Sequence, residues 1–288
     1  MGQTAHFGDL PEEYSALEHA SIVVIPVPYD RTSTWLKGAD KGPSAIIEAS
    51  AHMELYDIET DSEVYKKGIY TSEPVDGLEL PEDMIEMVAE RVREHLENDK
   101  FVVVVGGEHS VSIGPVRAHV ENNTDITVLQ LDAHSDLRDE YEGSIYNHAC
   151  VMARIAEMCP IVQVGIRSMD SSEKKALNRD RVIFAREIFT NKSWIEKVLS
   201  RLSESVYVTI DLDVFDPSIM PSTGTPEPGG LLWYDVLELL RAVFENRKVV
   251  GFDVVEMCPD ERNKAPDFLA AKLIYKLLSY KLCSHFGI

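Results

Sequence analysis

Seven apolar runs constrain this chain more than any other feature: "SIVVIPV" at 21–27, "FVVVVG" at 101–106, "ITVLQLD" at 126–132, "IVQVG" at 161–165, "RVIF" at 181–184, "VYVTIDLD" at 206–213 and "VVGFDVV" at 249–255. Their apolarity is continuous rather than alternating, which is the pattern of strands buried on both faces of a parallel sheet. Between them lie segments with helical spacing of apolar residues, at 81–98, 193–203, 231–246 and 265–283. Strand and helix in alternation predict a three-layer α/β/α sandwich with a central, mostly parallel sheet and crossover helices.

No Pro/Gly/Ser-rich linker interrupts the 288 residues, so 1–288 reads as one domain. No run of about 18 apolar residues offers a membrane span. The opening "MGQTAHFGDLPEEYSALEHA" lacks the basic and hydrophobic regions of a signal peptide, so a cytoplasmic protein is expected. Cys150, Cys159, Cys258 and Cys283 form no CxxC pair and read as free thiols in a reducing compartment. The formal net charge of −21 argues against nucleic acid and anionic membrane as partners, because both need basic footprints. It agrees with a cationic ligand, and equally with simple solubility.

In sheets of this kind, ligands bind outside the carboxyl ends of the strands. Here those ends carry the unusual polar residues. "FVVVV" runs into "GGEHS" with His109, "TVLQL" into "DAHSD" with Asp132, His134 and Asp136, "VYVTI" into "DLD" with Asp211 and Asp213, and "VVGFDVV" into Glu256. In an extended chain Asp132, His134 and Asp136 would share one face. Acids at the end of a buried strand need compensation, and a metal supplies it. Four carboxylates, Asp132, Asp136, Asp211 and Asp213, balance two divalent ions. The donor set of two imidazoles and hard oxygens suits Mn(II) better than zinc, which stays open.

Three of these motifs, "GGEHS", "LDAHSD" and "TIDLDVFDPSIMPSTGTPEPGG", together with the N-terminal "PVPYDRTSTWLKGADKGPSAIIEAS", resemble the signatures of the ureohydrolase family, which includes arginase and agmatinase. The N-terminal stretch is similar to the agmatinase branch. The resemblance covers most of the chain and implies an arginase-like fold, one ureohydrolase domain over 1–288, and assembly into trimers or hexamers. It also implies two Mn(II) per subunit, with His109 and Asp136 on one ion, His134 and Asp213 on the other, and Asp132 and Asp211 bridging. Glu108 stands where the family carries Asp, a change expected to act on His109 from behind. Ala149 follows His148 where arginases carry Gly, a change expected to reshape the pocket.

The chemistry implied is hydrolysis of a guanidinium group. Two metals acidify a shared water so that hydroxide is present near neutral pH. Asp213 would carry a proton to the leaving amine, and His148 would shuttle protons to solvent. His148 could instead cap the helix that follows it. Glu256 would accept the planar guanidinium in a two-pronged hydrogen bond, making it and His148 the substrate-binding pair. Asp253 reads as a structural or supporting acid.

The loop "LRDEYEGSIYN" suggests the substrate. Its acids Asp139, Glu140 and Glu142 suit a second cation, as agmatine presents, giving putrescine and urea. Arg138 would suit a guanidino acid instead. Guanidinobutyrate, arginine and formiminoglutamate therefore stay open, as does a silent paralogue that keeps the metals for structure.

Overall fold

The computed structural model describes residues 6–283, so residues 1–5 and 284–288 of the single-domain reading lie outside it, as does the start of the opening "MGQTAHFGDLPEEYSALEHA". Among the described residues, eight strands form one sheet: β1 (Ile22–Val27), β2 (Ile69–Thr71), β3 (Phe101–Gly106), β4 (Ile126–Leu131), β5 (Ile161–Ile166), β6 (Val182–Phe184), β7 (Ser205–Asp211) and β8 (Lys248–Val255). All seven pairings are parallel, in the order β2-β1-β3-β8-β7-β4-β5-β6.

The continuous apolar runs divide their side chains between two cores. Along β3, Val103 and Val105 join the cluster that holds Ile46, Val236 and Leu273, from the helices Gly42–Ser50, Trp233–Asn246 and Ala265–Leu282. Val102 and Val104 point to the opposite face, against Val88, Val116 and Ile155 of the helices Pro81–Leu96, Ile113–Asn122 and Val151–Ala156. Successive residues of a strand face opposite sides, so a strand covered on both sides must be apolar at every position. The result is the α/β/α sandwich that the sequence predicts. Each buried aliphatic side chain contributes roughly 1.5–3 kcal/mol, which makes the polar strand ends the exception that needs explaining.

The sequence reading misses β2, whose three residues pair only with β1 at the sheet edge and are too short to carry a periodic signal. The "VYVTIDLD" strand also stops sooner than its apolarity suggests. β7 ends at Asp211, whose carboxylate accepts the Asp213 N–H at 2.9 Å and turns the chain into the short 3-10 helix Leu212–Val214. The helix expected over 193–203 spans Trp194–Leu199, after which the Ser200 hydroxyl donates to the Lys197 carbonyl at 2.8 Å. No described helix is long and apolar enough to cross a membrane.

Candidate metal centre and its cavity

The sheet order explains why residues far apart in sequence meet. β3, β8, β7 and β4 are consecutive neighbours, and their carboxyl ends deliver His109, Glu256, Asp211 and Asp132 side by side. The three residues of "DAHSD" do not converge by continuing an extended strand. β4 ends at Leu131, His134 makes a lone bridge to Ser168, and Asp136 takes φ +51°, in the left-handed region. The turn, rather than the strand period, brings Asp136 back toward His109. Glu256 also sits at positive φ, +65°. Of the six described non-glycine residues at positive φ, these two lie at the site and mark backbone strain that the surrounding structure maintains.

His109 Nδ1 lies 2.9 Å from Asp136 Oδ2, 3.2 Å from Asp132 Oδ2 and 3.4 Å from Asp211 Oδ2. His134 Nδ1 lies 2.8 Å from Asp213 Oδ2 and 3.7 Å from Asp132 Oδ1. Two sets of ligand atoms are close enough to hold an ion: His109, Asp132 and Asp211, and Asp132, His134 and Asp213. Asp132 belongs to both sets. Asp136 falls in neither, although it is the acid nearest His109.

The electrostatics are those of a site short of positive charge. Burial, with Asp136 and Asp213 beside it, pushes the Asp132 carboxyl up to about 7. Burial and the charges of Asp213 and Asp132 push Asp211 well above the usual range. Burial alone would favour neutral imidazoles, yet Asp213 and Asp132 lift His134 to about 11. Asp213, despite burial, is held down at about 2 by His134. Each imidazole is acting as a substitute cation. His109 Nδ1 has no hydrogen-bond partner of good geometry, although three carboxylate oxygens surround it. An orphaned buried nitrogen ringed by acids fits a divalent ion with nitrogen and hard-oxygen ligands.

Outer residues orient this set. The Thr209 hydroxyl donates to Asp253 Oδ1 at 2.7 Å, so it can accept only from His109 Nε2, 3.0 Å away. In the neutral ring that a metal ligand requires, that contact would put the proton on Nε2 and aim the Nδ1 lone pair into the cluster. Asp253 also accepts from Ser112 at 2.9 Å and from Tyr207 at 2.8 Å, and is the supporting acid of the sequence reading. Gln130 donates to Asp132 Oδ2 at 2.6 Å, and Gln163 in turn donates to Gln130 at 2.6 Å. Arg167 donates to the carbonyls of Asp213 at 2.6 Å and Glu227 at 2.8 Å, tying the Asp213 turn to the "TPEPGG" loop. A polar residue inside an apolar run, such as Gln130 or Gln163, was the available signal for these supports.

A cavity of about 280 Å³ opens beside the cluster, lined near it by His109, His134, Asp136, Asp211, His148, Thr34 and Glu256. Burial and the charge of Glu108 push Glu256 up to about 8, while its Oε1 accepts the His109 N–H at 2.7 Å. His148 Nδ1 is 3.8 Å from Glu256 Oε1, and burial lowers its pKa. His148 does not cap the next helix. It lies inside the short 3-10 turn His148–Cys150, which Asn147 caps through a side-chain bond from Ala149 N, and the helix Val151–Ala156 has no side-chain cap. Ala149 lines the cavity, as its departure from the arginase pattern suggested.

The far end of the cavity corrects the sequence reading. Asp139, Glu140 and Glu142 are exposed and do not line it; Asp139 pairs with Arg154 at 2.8 Å instead. The loop turns Arg138 and Tyr141 inward, with the guanidinium 4.4 Å from the Tyr141 ring centroid. The acid facing Arg138 is Asp170, 4.0 Å away, which the sequence reading overlooked. Its capping-box pattern with Glu173 was legible as a helix start, and nothing in that pattern signals a cavity. Glu173, also overlooked, accepts from Ser135 at 2.7 Å and Leu137 N at 2.8 Å and so braces the "DAHSD" turn.

Residues 20–279 match the family model described as the arginase family. The chain belongs to the arginase family. It is 40% identical, over 93% of its length and 92% of the relative, to the N(1)-aminopropylagmatine ureohydrolase of Synechocystis sp.. It is 34% identical to the agmatinase of Pyrococcus horikoshii, over 91% of this chain and 92% of that one. The crystal structure of the agmatine ureohydrolase of Thermoplasma volcanium superposes with a TM-score of 0.87 at 31% identity, covering 98% of this chain and 95% of the other. This arginase-family chain is accordingly an enzyme, a ureohydrolase that hydrolyses carbon–nitrogen bonds of amidines.

Proposed function

We propose that the chain, working as one domain, is an agmatinase-like enzyme that uses two Mn(II) ions to hydrolyse the guanidinium of agmatine to putrescine and urea. The observation that carries this reading is Glu256: an acid pushed up to about 8 by burial, on the wall of a cavity that also holds the ligand cluster. Such a carboxylate gains most from a cation that enters the cavity with it, and a planar guanidinium matches its geometry. His109, Asp132, Asp136 and Asp211 would hold one ion, and Asp132, Asp211, His134 and Asp213 the other, with Asp132 and Asp211 shared. When bound, the pair supplies hydroxide from water near neutral pH and neutralises the four acids.

The chain's own groups do the rest. Glu256, fixed through Oε1 by the His109 N–H, orients the guanidinium so that its carbon faces the cluster. Asp213, at the edge of the cluster beside His134, would take the proton of the attacking water and pass it to the leaving amine. His148, neutral in its buried position, exchanges protons between the cavity and solvent.

Charge selects the substrate. With four acids neutralised, the remaining charged lining is Glu256, Asp170 and Glu173 against Arg138. Three negative charges against one favour a dication over an amino acid with a carboxylate. A second reading has its own support. The Asp170 side chain is 43% exposed, so this end of the cavity reaches solvent, and the 40% identical relative is named for N(1)-aminopropylagmatine. A chain extended by a further amine would pass Asp170 on its way out. Cytoplasmic location, a role in polyamine biosynthesis and a trimeric or hexameric assembly accompany the proposal.

Urea release in Mn(II) from agmatine, N(1)-aminopropylagmatine, 4-guanidinobutyrate and L-arginine tests both readings. Agmatine should exceed arginine by about two orders of magnitude in kcat/KM, the scale on which an unpaired buried charge is rejected. Preference for the aminopropyl compound selects the second reading. Equal use of arginine, or no urea from any of the four, overturns the proposal. Arg138→Ala should leave agmatine turnover intact, whereas a guanidino-acid enzyme would lose most of its affinity.

A further inference from the structure

Glu108 does not reach the His109 ring. Its carboxylate is fully buried and directs its hydrogen bonds toward residues 30–38, the loop that follows β1. Oε1 accepts from the Thr32 hydroxyl at 2.5 Å and the Ser110 hydroxyl at 2.6 Å. Oε2 accepts from the backbone N–H groups of Thr32 at 2.5 Å and Ser33 at 2.8 Å. The strand end and the loop are in tight contact here, since a Cβ on Gly107 would lie 1.9 Å from the Tyr29 carbonyl oxygen. No other residue fits at 107.

The same loop holds His148. Having given its proton to Glu108, the Thr32 hydroxyl remains an acceptor, and it takes the backbone N–H of His148 at 2.8 Å. Asn147 Nδ2 reaches the Thr32 carbonyl at 3.4 Å. Two residues on, the Thr34 hydroxyl stands 3.5 Å from His148 Nε2 and lines the cavity. Asp30 closes the loop on itself by accepting from Gly38 N at 2.6 Å and Ala39 N at 3.2 Å. A continuous chain of contacts thus runs from Glu108 through Thr32 to His148.

We propose that Glu108 and Thr32 form a clamp that positions His148 in the cavity, so that both are positioning residues for the hydrolysis and neither touches the substrate. The inference rests on the proton-exchange role assigned to His148 above. The longer side chain of Glu at 108 spans from the strand end to two successive backbone N–H groups of the loop. An Asp, one methylene shorter, would give up part of that reach. The departure from the family pattern at 108 is therefore a feature of the loop and not of the metal ligand.

The test uses Thr32, because Glu108 variants open a hole in the core and risk misfolding. Thr32→Val keeps the shape and removes the hydroxyl, while Thr32→Ser keeps the hydroxyl. In the Mn(II)-loaded enzyme, Thr32→Val should lower kcat for agmatine about tenfold with KM within about twofold and metal content unchanged, and Thr32→Ser should restore most of it. Hydrogen–deuterium exchange at the His148 amide should quicken about tenfold in Thr32→Val and stay protected in Thr32→Ser. Added to His148→Ala, Thr32→Val should cost nothing further, because its effect passes through His148. The clamp is overturned if Thr32→Val keeps normal turnover, or if its loss persists undiminished in the His148→Ala background. A fully active His148→Ala enzyme would instead overturn the role assigned to His148, and amide exchange would still report whether the clamp exists.

Discussion

Two clusters of charged side chains, one buried and one buried at Asp57 and Lys276 but half-buried at Glu59 and Arg241, are compensated in different ways. At the carboxyl end of the sheet, Asp132, Asp136, Asp211 and Asp213 meet two imidazoles, one of which has an orphaned nitrogen, and the more distant charge of Arg167. Against the helix Ala265–Leu282, Asp57 and Glu59 face Lys276 and Arg241. Lys276 Nζ lies 2.9 Å from Asp57 Oδ2 and 2.6 Å from Glu59 Oε2, Arg241 lies 3.1 Å from Glu59 Oε1, and the Tyr280 hydroxyl donates to Glu59 at 2.9 Å. Although burial pushes the Asp57 carboxyl up, the Lys276 and Thr60 donors hold it below its usual value. The first cluster pushes Asp132 up to about 7. An acid cluster with its counter-charges supplied by the chain is structural, and one without them is built for cations from outside.

The largest effect should come from neutralising one acid of the first cluster. Asp132→Asn removes the ligand common to both ion sets, and activity in Mn(II) should fall more than about a hundredfold, beyond the range seen for supporting residues. The metal-free variant should nevertheless be no less stable than the metal-free parent, because one of several repelling charges is gone. Thermal melting with and without chelator reads both. A variant clearly less stable than the parent under chelator would mean that the acids are already compensated.

Asp57→Asn should behave in the opposite way. Breaking the Asp57 pair leaves Lys276 with Glu59 alone, and the cost is about 3 kcal/mol of stability, the low end for a broken buried pair, with or without metal. The rise in melting temperature on adding Mn(II) should be unchanged. A neutral effect on stability would remove the contrast between the two clusters.

Glu256→Gln is smaller again. It removes the charge that meets the guanidinium and leaves every metal ligand in place, so kcat/KM should drop by about 1.5–3 kcal/mol in barrier terms, roughly tenfold to a hundredfold, with full metal content. Normal turnover would leave Glu256 an ordinary strand-end acid.

The contrast also explains what the sequence could reveal. His109, Asp132, Asp211 and Glu256 were legible because each interrupts an apolar run at the same end, and a parallel sheet brings such ends together whatever its strand order. That these four strands are immediate neighbours was not legible, since crossover connections allow several orders. Asp139, Glu140 and Glu142 misled because loop composition says nothing about which side of the loop faces inward. Only the packed turn brings Arg138 and Tyr141 to the cavity, opposite Asp170 from the next strand's loop. The Asp57 network was hidden for a related reason: its partners lie about 220 residues apart and carry no periodic signature.

The least effect belongs to a buried ionisable group with no charged partner at all. His119 lies against Tyr207 in the core, with Nδ1 2.8 Å from the Pro115 carbonyl and Nε2 3.2 Å from the Val250 carbonyl. Burial lowers its pKa to about 4, so the fold keeps the ring neutral while the unfolded chain takes up a proton near pH 6.5. The unfolded state then binds more protons as pH falls, and stability is lost through the window from about 6.5 down to about 4. Between pH 6.5 and 5.5 the loss should be about 1 kcal/mol. Other groups also titrate over this window, so the wild type alone does not isolate the effect. His119→Gln does: urea melts of the two proteins with Mn(II) saturating should show wild type losing about 1 kcal/mol relative to the variant over that interval. A pH-independent difference would mean that burial does not hold the ring neutral, and that an uncompensated ionisable group in this core is tolerated by some means other than losing its charge.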